Sequence, residues 1–403
     1  MSSGAGPIYP LAVSPAEAPA EHRSYFAEVA RDAVAPRSAK LALAWIACVA
    51  AMAVLAPLIA NSNPCLINMD GHWSSPLLRS LNWTDLALLI VAVVGGALGC
   101  VRRKKFWPNM TLLAACLIVM SVVYGFFGPP PQNVVYEQYR DAMRQGRVQF
   151  VLHAPIPYSP SDRFRDEPDT RLLPPSRHHL LGTEAFGADV LSRMIHACRI
   201  ILAMGFVASG IAVIIGVVVG GLMGYFSGIV DILGMRLIEI FEAIPTLFLM
   251  ITLVAFFPSE DYRLLMLMVI IGITGWTGYA RFTRAEYLSL RSRDFVQAAQ
   301  AAGLPLHSVL FRHMLPNGIT PVVINLSFGI AAAIIAESTL SFLQLGVIDQ
   351  PSWGAMLSQA TGQGGDFLWW MALFPGLAIF LTVFAYVLLG ESVNDALDPR
   401  RRR

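Results

Sequence analysis

Three groups of residues in this 403-residue chain have types and settings that invite chemistry. Glu337 lies within the apolar run 318–345. A carboxylate at membrane depth is a functional candidate by default, because its burial is costly. It is equally well read as a hydrogen-bonding residue packed against a partner. Glu239 and Glu242 open another apolar run just before Pro245, with Arg236 at helical spacing from Glu239, and read as interfacial carboxylates. His178 and His179 are adjacent, and two neighbouring histidines alone do not make a metal site; they read as a solvated loop. There is no Cys-x-x-Cys or His/Cys cluster of metal-ligand spacing and no phosphate-binding Gly-x-x-x-x-Gly-Lys-[Ser/Thr] loop. No nucleophile elbow stands out. The five cysteines are scattered and odd in number, which argues against a disulfide framework. The chain is therefore not expected to be an enzyme or to carry a cofactor or metal.

The richest stretch is 294–316, a polar, small-residue island between long apolar runs. Asp294 suits an N-cap, and Gln297 falls three residues later, as in a capping box. A short helix then carries Ala298 and Ala299. Gly303 suits the C′ position that ends it, and Pro305 the first turn of a second helix. Leu306, Val309, Leu310 and Met314 form an apolar stripe at helical spacing, with Arg312 and His313 towards its end. Leu315 and Pro316 close the element, the proline breaking it before the next span. The alanine face would let a partner's backbone approach closely; the plainer reading is an ordinary connector.

These groups must be positioned by elements built for lipid. The chain is 55% hydrophobic and 14% charged, with a mean hydropathy of +0.57; soluble domains carry about 25% charged residues. A spanning helix needs about 20 apolar residues, and the segments 41–60, 84–101, 110–127, 200–224, 235–257, 264–283, 318–345 and 368–390 qualify or nearly do. The expectation is an all-α polytopic membrane protein of about eight transmembrane helices. Positive residues cluster before 41, at Arg102–Lys105, over 281–312 and at the C-terminal Arg400–Arg403. The positive-inside rule then places both termini and 284–316 in the cytoplasm. The Pro-rich segment 128–198 falls outside, with loops and short strands instead of a core of its own. Gly216, Gly220, Gly221 and Gly224 recur at helix-packing spacing.

Residues 294–316 resemble the "EAA" loop of ABC importer permeases through Gln297-Ala298-Ala299, Gly303 and His313-Met314-Leu315-Pro316. Gln297 replaces the family's usual Glu, so the charged contact there is absent. His179-Leu180-Leu181-Gly182-Thr183-Glu184 with Asp189 and Arg193 is similar to the opening motif of the oligopeptide/dipeptide C-type permeases. So are Glu337-Ser338-Thr339-Leu340-Ser341-Phe342-Leu343, Pro351-Ser352-Trp353-Gly354, Phe374-Pro375-Gly376 and Asp395-Ala396-Leu397-Asp398-Pro399. Asp70-Gly71-His72-Trp73 and Pro76-Leu77-Leu78 resemble the Yej-type peptide/microcin C subgroup.

The resemblance implies a bacterial inner-membrane permease subunit for peptides, working with a second homologous permease, two ABC ATPase subunits and an external substrate-binding protein, and with no nucleic acid. Nickel, metal-chelate or antimicrobial-peptide cargo is the alternative within the family; a channel or secondary transporter is the distant one. The expected organisation is a cytoplasmic tail 1–40, a first span 41–60, an external loop 61–83 and an extra hairpin 84–127. An external segment 128–198, a permease core 199–391 holding five spans and the coupling loop 284–316, and a tail 392–403 follow. The extra hairpin departs from the family pattern and reads as a lipid-facing decoration.

Overall fold

A computed structural model describes residues 25–100, 136–163, 170–256, 262–347, 350–361 and 367–397. Helix α1 (Tyr25–Val34) and helix α2 (Arg37–Ile59) lead into a small sheet and helix α3 (Pro76–Ser80), then helix α4 (Trp83–Cys100). Helix α5 (Glu137–Arg144) follows, then the long helix α6 (Val190–Phe226). Next come α7 (Gly228–Ala243), α8 (Thr246–Phe256), α9 (Arg263–Thr274) and α10 (Trp276–Leu290). Helix α11 (Asp294–Ala301), a π-helix (Ser308–Met314), α12 (Leu315–Gly318), α13 (Thr320–Phe342), α14 (Trp353–Ser358) and α15 (Trp369–Leu397) complete the chain.

Four of these helices, α2, α6, α13 and α15, are long and apolar enough to cross a membrane alone; up to six spans result if each of two bent pairs counts as one. The expected span 235–257 is broken, with α7 and α8 meeting at 84°. The reason is local: Ile244 precedes a proline and is extended (φ −89, ψ 124), and Pro245 has no N–H to continue the ladder. The expected span 264–283 is likewise a pair, α9 and α10, bent by 42° at Gly275. The expected span 110–127 lies outside the described residues. At 37 residues, α6 runs about 55 Å, well beyond a hydrocarbon core of about 30 Å. Its first turns carry the polar Ser192, Arg193, His196 and Arg199, and its apolar run begins at Ile200. The tail expected from 392 is helical through Leu397, and Ala396, Val393 and Leu397 pack on Val29 and Ala33 of α1.

The sheet has strand order β2-β1-β3, all antiparallel, from β1 (Leu66–Met69), β2 (His72–Ser74) and β3 (Val148–Leu152). The β1–β2 hairpin turns on Asp70 (φ 51) and Gly71 (φ 84), the doubly left-handed pair of a type I′ turn. The loop 61–83 and the segment 128–198 thus fold together, joined also by Ser62 Oγ donating to Asp162 (2.7 Å).

The seam between α6 and α10 is glycine-lined. A Cβ at Gly216 would sit 2.5 Å from the Tyr279 Cβ, one at Gly224 2.6 Å from the Tyr287 Cβ, and one at Gly220 would fall on the Ala280 carbonyl. Without side chains the two backbones touch, and dispersion replaces the hydrophobic drive that lipid cannot supply.

Helix α4 is tied to the core and is more than a decoration on it. Pro57, inside α2, lacks the N–H that would bond the Ala53 carbonyl. Arg199 of α6 donates Nε to that carbonyl (2.5 Å) and Nη1 to Asp85 in the first turn of α4. Arg199→Met should leave Asp85, which is 6% exposed, without a counter-charge and cost about 3–5 kcal/mol. Thermal unfolding of the purified chain should show the loss, and the double change Arg199→Gln, Asp85→Asn should recover most of it. For the seam, Gly220→Leu should lower the melting temperature sharply through overpacking of at least about 1–3 kcal/mol. Gly210→Leu should not, because a Cβ there meets nothing within 4 Å.

Candidate functional site

The helix-turn-helix forms as a unit, with its start shifted by one residue. Arg293 is extended (φ −78, ψ 146) and its carbonyl accepts from Val296 N (3.0 Å) and Gln297 N (3.1 Å). Arg293 is therefore the N-cap. Asp294 instead occupies the first helical position, where its charge meets the positive end of the helix dipole without a capping hydrogen bond. Gln297 likewise makes no capping box: its Nε2 donates to the Ser292 carbonyl (3.3 Å).

At the other end Gly303 takes the C′ position expected of it, whereas Pro305 falls just before the first turn of the next helix instead of within it. Gly303 has φ +70, Leu304 N donates to Ala299 O (3.2 Å) and Gly303 N to Gln300 O (2.9 Å). These are the two bonds of a Schellman motif. Pro305 caps the next helix through its carbonyl, which accepts from Ser308 N (2.9 Å) and Val309 N (3.2 Å).

The second helix is π-wound over Ser308–Met314 and passes through Pro316 into α12, so Pro316 does not end the element. It sits in the first turn of α12, where a missing N–H costs least. Leu315 N reaches back five residues to Leu310 O, and His313 Nδ1 lies 2.9 Å from Ser308 O, also five back. Asn317 Nδ2 satisfies the His313 carbonyl (2.7 Å).

The apolar stripe is buried at Val309, Leu310 and Met314, whereas Leu306 is 40% exposed. These side chains meet Val296 and Ala299 of α11 around Tyr287 of α10, with Leu222 and Tyr225 of α6 packed against them. The alanine pair splits: Ala299 faces this cluster and Ala298 is exposed. The outward surface carries Asp294, Gln297, Ala298 and Arg312, together with the apolar side chains Phe295, Leu304, Leu306 and Phe311, each about 40% exposed.

Tyr287 was not singled out by the sequence. Its Oη donates to the Leu310 carbonyl (2.9 Å), its ring lies against Gly221 and its Cβ against Gly224. Only the glycine spacing on α6 hinted that a large residue must fill the gap. Asp231 was missed too; it holds Arg284 by a bidentate pair, Nη2 to Oδ2 at 2.6 Å, linking the start of α7 to α10. Arg236 pairs with Glu239 and Arg281 with Glu242, both exposed pairs of small energetic weight.

Glu337 is 2% exposed and, among the described residues, is held by hydroxyls. It accepts from Ser341 Oγ (2.7 Å), Ser352 Oγ (2.9 Å) and Ser338 Oγ (3.4 Å). Ser352 precedes α14, and a Cβ at Gly354 would fall on the Ser338 carbonyl, so α14 lies directly on α13. Trp353 is buried beside it and donates Nε1 to Met194 O of α6 (3.1 Å). The Glu-Ser-x-x-Ser and Ser-Trp-Gly stretches are thus two halves of one knot.

A second knot forms at the start of α6. His179 is not solvated: it is 6% exposed, stacks on Tyr158 (4.6 Å) and lies 2.9 Å from Asp189 Oδ2. Asp189 also caps α6 by accepting from Ser192 N (2.8 Å). Arg193 Nε lies 3.1 Å from Glu184 Oε2, and its Nη1 donates to Pro160 O (3.0 Å). Gly182 (φ +82) turns the chain where a Cβ would sit 2.6 Å from Leu173 O.

Buried polar knots joining apolar helices, with one amphipathic element held beyond them, define a multi-pass helical membrane protein. Residues 216–403 match the family of binding-protein-dependent transport system inner membrane components. The chain is 30% identical over 351 residues to the inner membrane ABC transporter permease protein YejE of Escherichia coli (strain K12), covering 87% of this chain and 90% of that protein. It is 35% identical over 257 residues to the dipeptide transport system permease protein DppC of Bacillus subtilis (strain 168), covering 63% of this chain and 79% of that one. It is 36% identical over 226 residues to the oligopeptide transport system permease protein OppC of Haemophilus influenzae, covering 56% and 71%. This chain belongs to the family of binding-protein-dependent transport system inner membrane components.

Tyr287→Phe keeps the ring and removes the donor to Leu310. It should cost about 1 kcal/mol and speed amide exchange across 306–318 in hydrogen-exchange mass spectrometry, with exchange in α6 unchanged.

Proposed function

We propose that the chain forms half of the translocation pathway of an ATP-driven peptide importer and couples to the ATPase through residues 294–316. The observation that carries this reading is the build of that element. Its inner face is locked to α6 and α10 through Tyr287, while Phe295, Leu304, Leu306 and Phe311 stand exposed on a stretch with no span of its own. A surface that combines these exposed apolar side chains with the polar Asp294, Gln297 and Arg312 fits a docking contact. Because the inner face is rigid, a push on the outer face moves α6 and α10 as one body, the kind of domain motion that alternates access.

Membership of the family supports the rest of the assembly: a second permease, two ATPase subunits and an external binding protein. The relatives named for dipeptide and oligopeptide transport support peptides as cargo. The distribution of Lys and Arg supports termini and 284–316 on the cytoplasmic side of a bacterial inner membrane, with the sheet outside. Glu337 then acts by holding the outer end of α13 to α14, a packing part.

Gly303 tests the coupling. A Cβ there meets nothing within 4 Å, so the residue is required for its φ of +70 and for what lies outside the chain. In the reconstituted importer, Gly303→Asn, which tolerates the left-handed region, should retain most ATP-dependent uptake of a labelled di- or oligopeptide. Gly303→Arg should lose at least about tenfold while the subunit still inserts in the membrane. Wild-type uptake in the arginine variant would remove the coupling role. Uptake that no peptide stimulates would remove the cargo reading and leave the coupling one standing.

A further inference from the structure

Antiparallel sheets usually turn one face to the core and a polar face to water. The β2-β1-β3 sheet does not. Its register sets Asn68 opposite both Trp73 and Phe150, and Leu66 opposite Leu152, so these residues share one face. On it Trp73 is 60%, Phe150 48% and Leu152 53% exposed, with the Trp73 and Phe150 rings 5.7 Å apart. The opposite face carries Ile67, which is fully buried. This face is therefore buried at Asn68 on the central strand but open and apolar along the two outer strands, and the opposite face is packed on the protein at Ile67.

Its place in the chain indicates what covers it. The hairpin hangs between the end of α2 at Ile59 and the start of α4 at Trp83, and β1 begins seven residues after a helix long and apolar enough to cross a membrane. Leu77 and Leu81 beneath it pack on Leu58 of α2 and on Leu86 and Leu89 of α4. Leu78 between them points outward, 63% exposed, and is followed by the exposed Arg79. Leu55 of α2 and Leu88 of α4 are exposed as well. A tryptophan and an arginine in the segment that follows a span are the composition of the membrane interface, where the ring sits among headgroups and the guanidinium meets phosphate.

We propose that the Trp73–Phe150–Leu152 face is a monotopic membrane contact, lying in the interfacial layer of the leaflet at which α2 ends. It would brace the extra helix α4 and fix the tilt of α2 by an anchor outside the bilayer core.

The test uses the full-length chain in nanodiscs made with brominated phosphatidylcholine. Subtracting the Trp73→Phe spectrum isolates Trp73 from the other seven tryptophans. Bromine placed high on the acyl chain should quench the Trp73 emission by about half, with aqueous iodide having little effect, as for an interfacial indole. Strong iodide quenching with no effect of bromine overturns the proposal. In native membranes, p-benzoylphenylalanine at position 150 should give, on irradiation, a chain heavier by one phospholipid. A cross-link to another protein, such as a substrate-binding protein, would instead assign the face to that partner and also overturn it.

Discussion

Contact between the backbones of α6 and α10 at Gly216, Gly220 and Gly224 is the constraint on which the rest of the molecule depends. In lipid, apolar side chains gain nothing by leaving one hydrocarbon surface for another, so helices adhere where their atoms can come closest. Three glycines one turn apart let α10 lie in a trough of α6. Tyr287 continues that trough past Gly224 and reaches the Leu310 carbonyl. The helix-turn-helix is thus cantilevered from the membrane-spanning pair. Its anchorage is borrowed from that seam, which Tyr287 abuts at Gly221 and Gly224.

The second requirement is that polar groups among apolar helices be satisfied, and two apparent defects, at Pro57 and Glu337, have named partners. Pro57 leaves a carbonyl free, and Arg199 uses it together with Asp85 to bind three helices at one point. Glu337 brings a carboxylate into the buried interior, and three serines, one of them beyond a loop, surround it. Removing one member of such a group leaves the others stranded, which costs more than the hydrogen bond itself. Buried polar residues here act as rivets between elements that hydrophobicity alone would leave free to slide.

Some of this was legible in the sequence because it depends only on near neighbours. Gly303 followed by Pro305 specifies a left-handed stop and a restart, and the Schellman bonds appear where that chemistry puts them. Glycines at four-residue spacing mark a close-packing stripe. The start of α11 went differently: Asp294 has the right side chain for a cap, yet Arg293 takes the position because the turn closing α10, with Arg293 N bonded to Leu290 O, fixes its backbone first. Pro316 was expected to break the element, but a proline in the first turn of a helix breaks nothing. His179 was taken as solvated because the sequence does not contain the fact that Tyr158 and Asp189 close over it.

The sequence by itself determined what each segment is made for: apolar length for lipid, a polar island for a surface, small residues for contact, and motifs that place the chain in its family. Tertiary structure alone decided which of those residues meet. Arg199 and Asp85 are 114 positions apart, and Trp370 and Thr183 are 187 apart yet hydrogen-bonded. It also decided that Ala299 is buried while Ala298 is exposed. The physical reason is that local rules act through a few bonds of backbone. The partner of a buried charge or the occupant of a glycine trough is chosen by which helices pack, and that is a property of the whole chain.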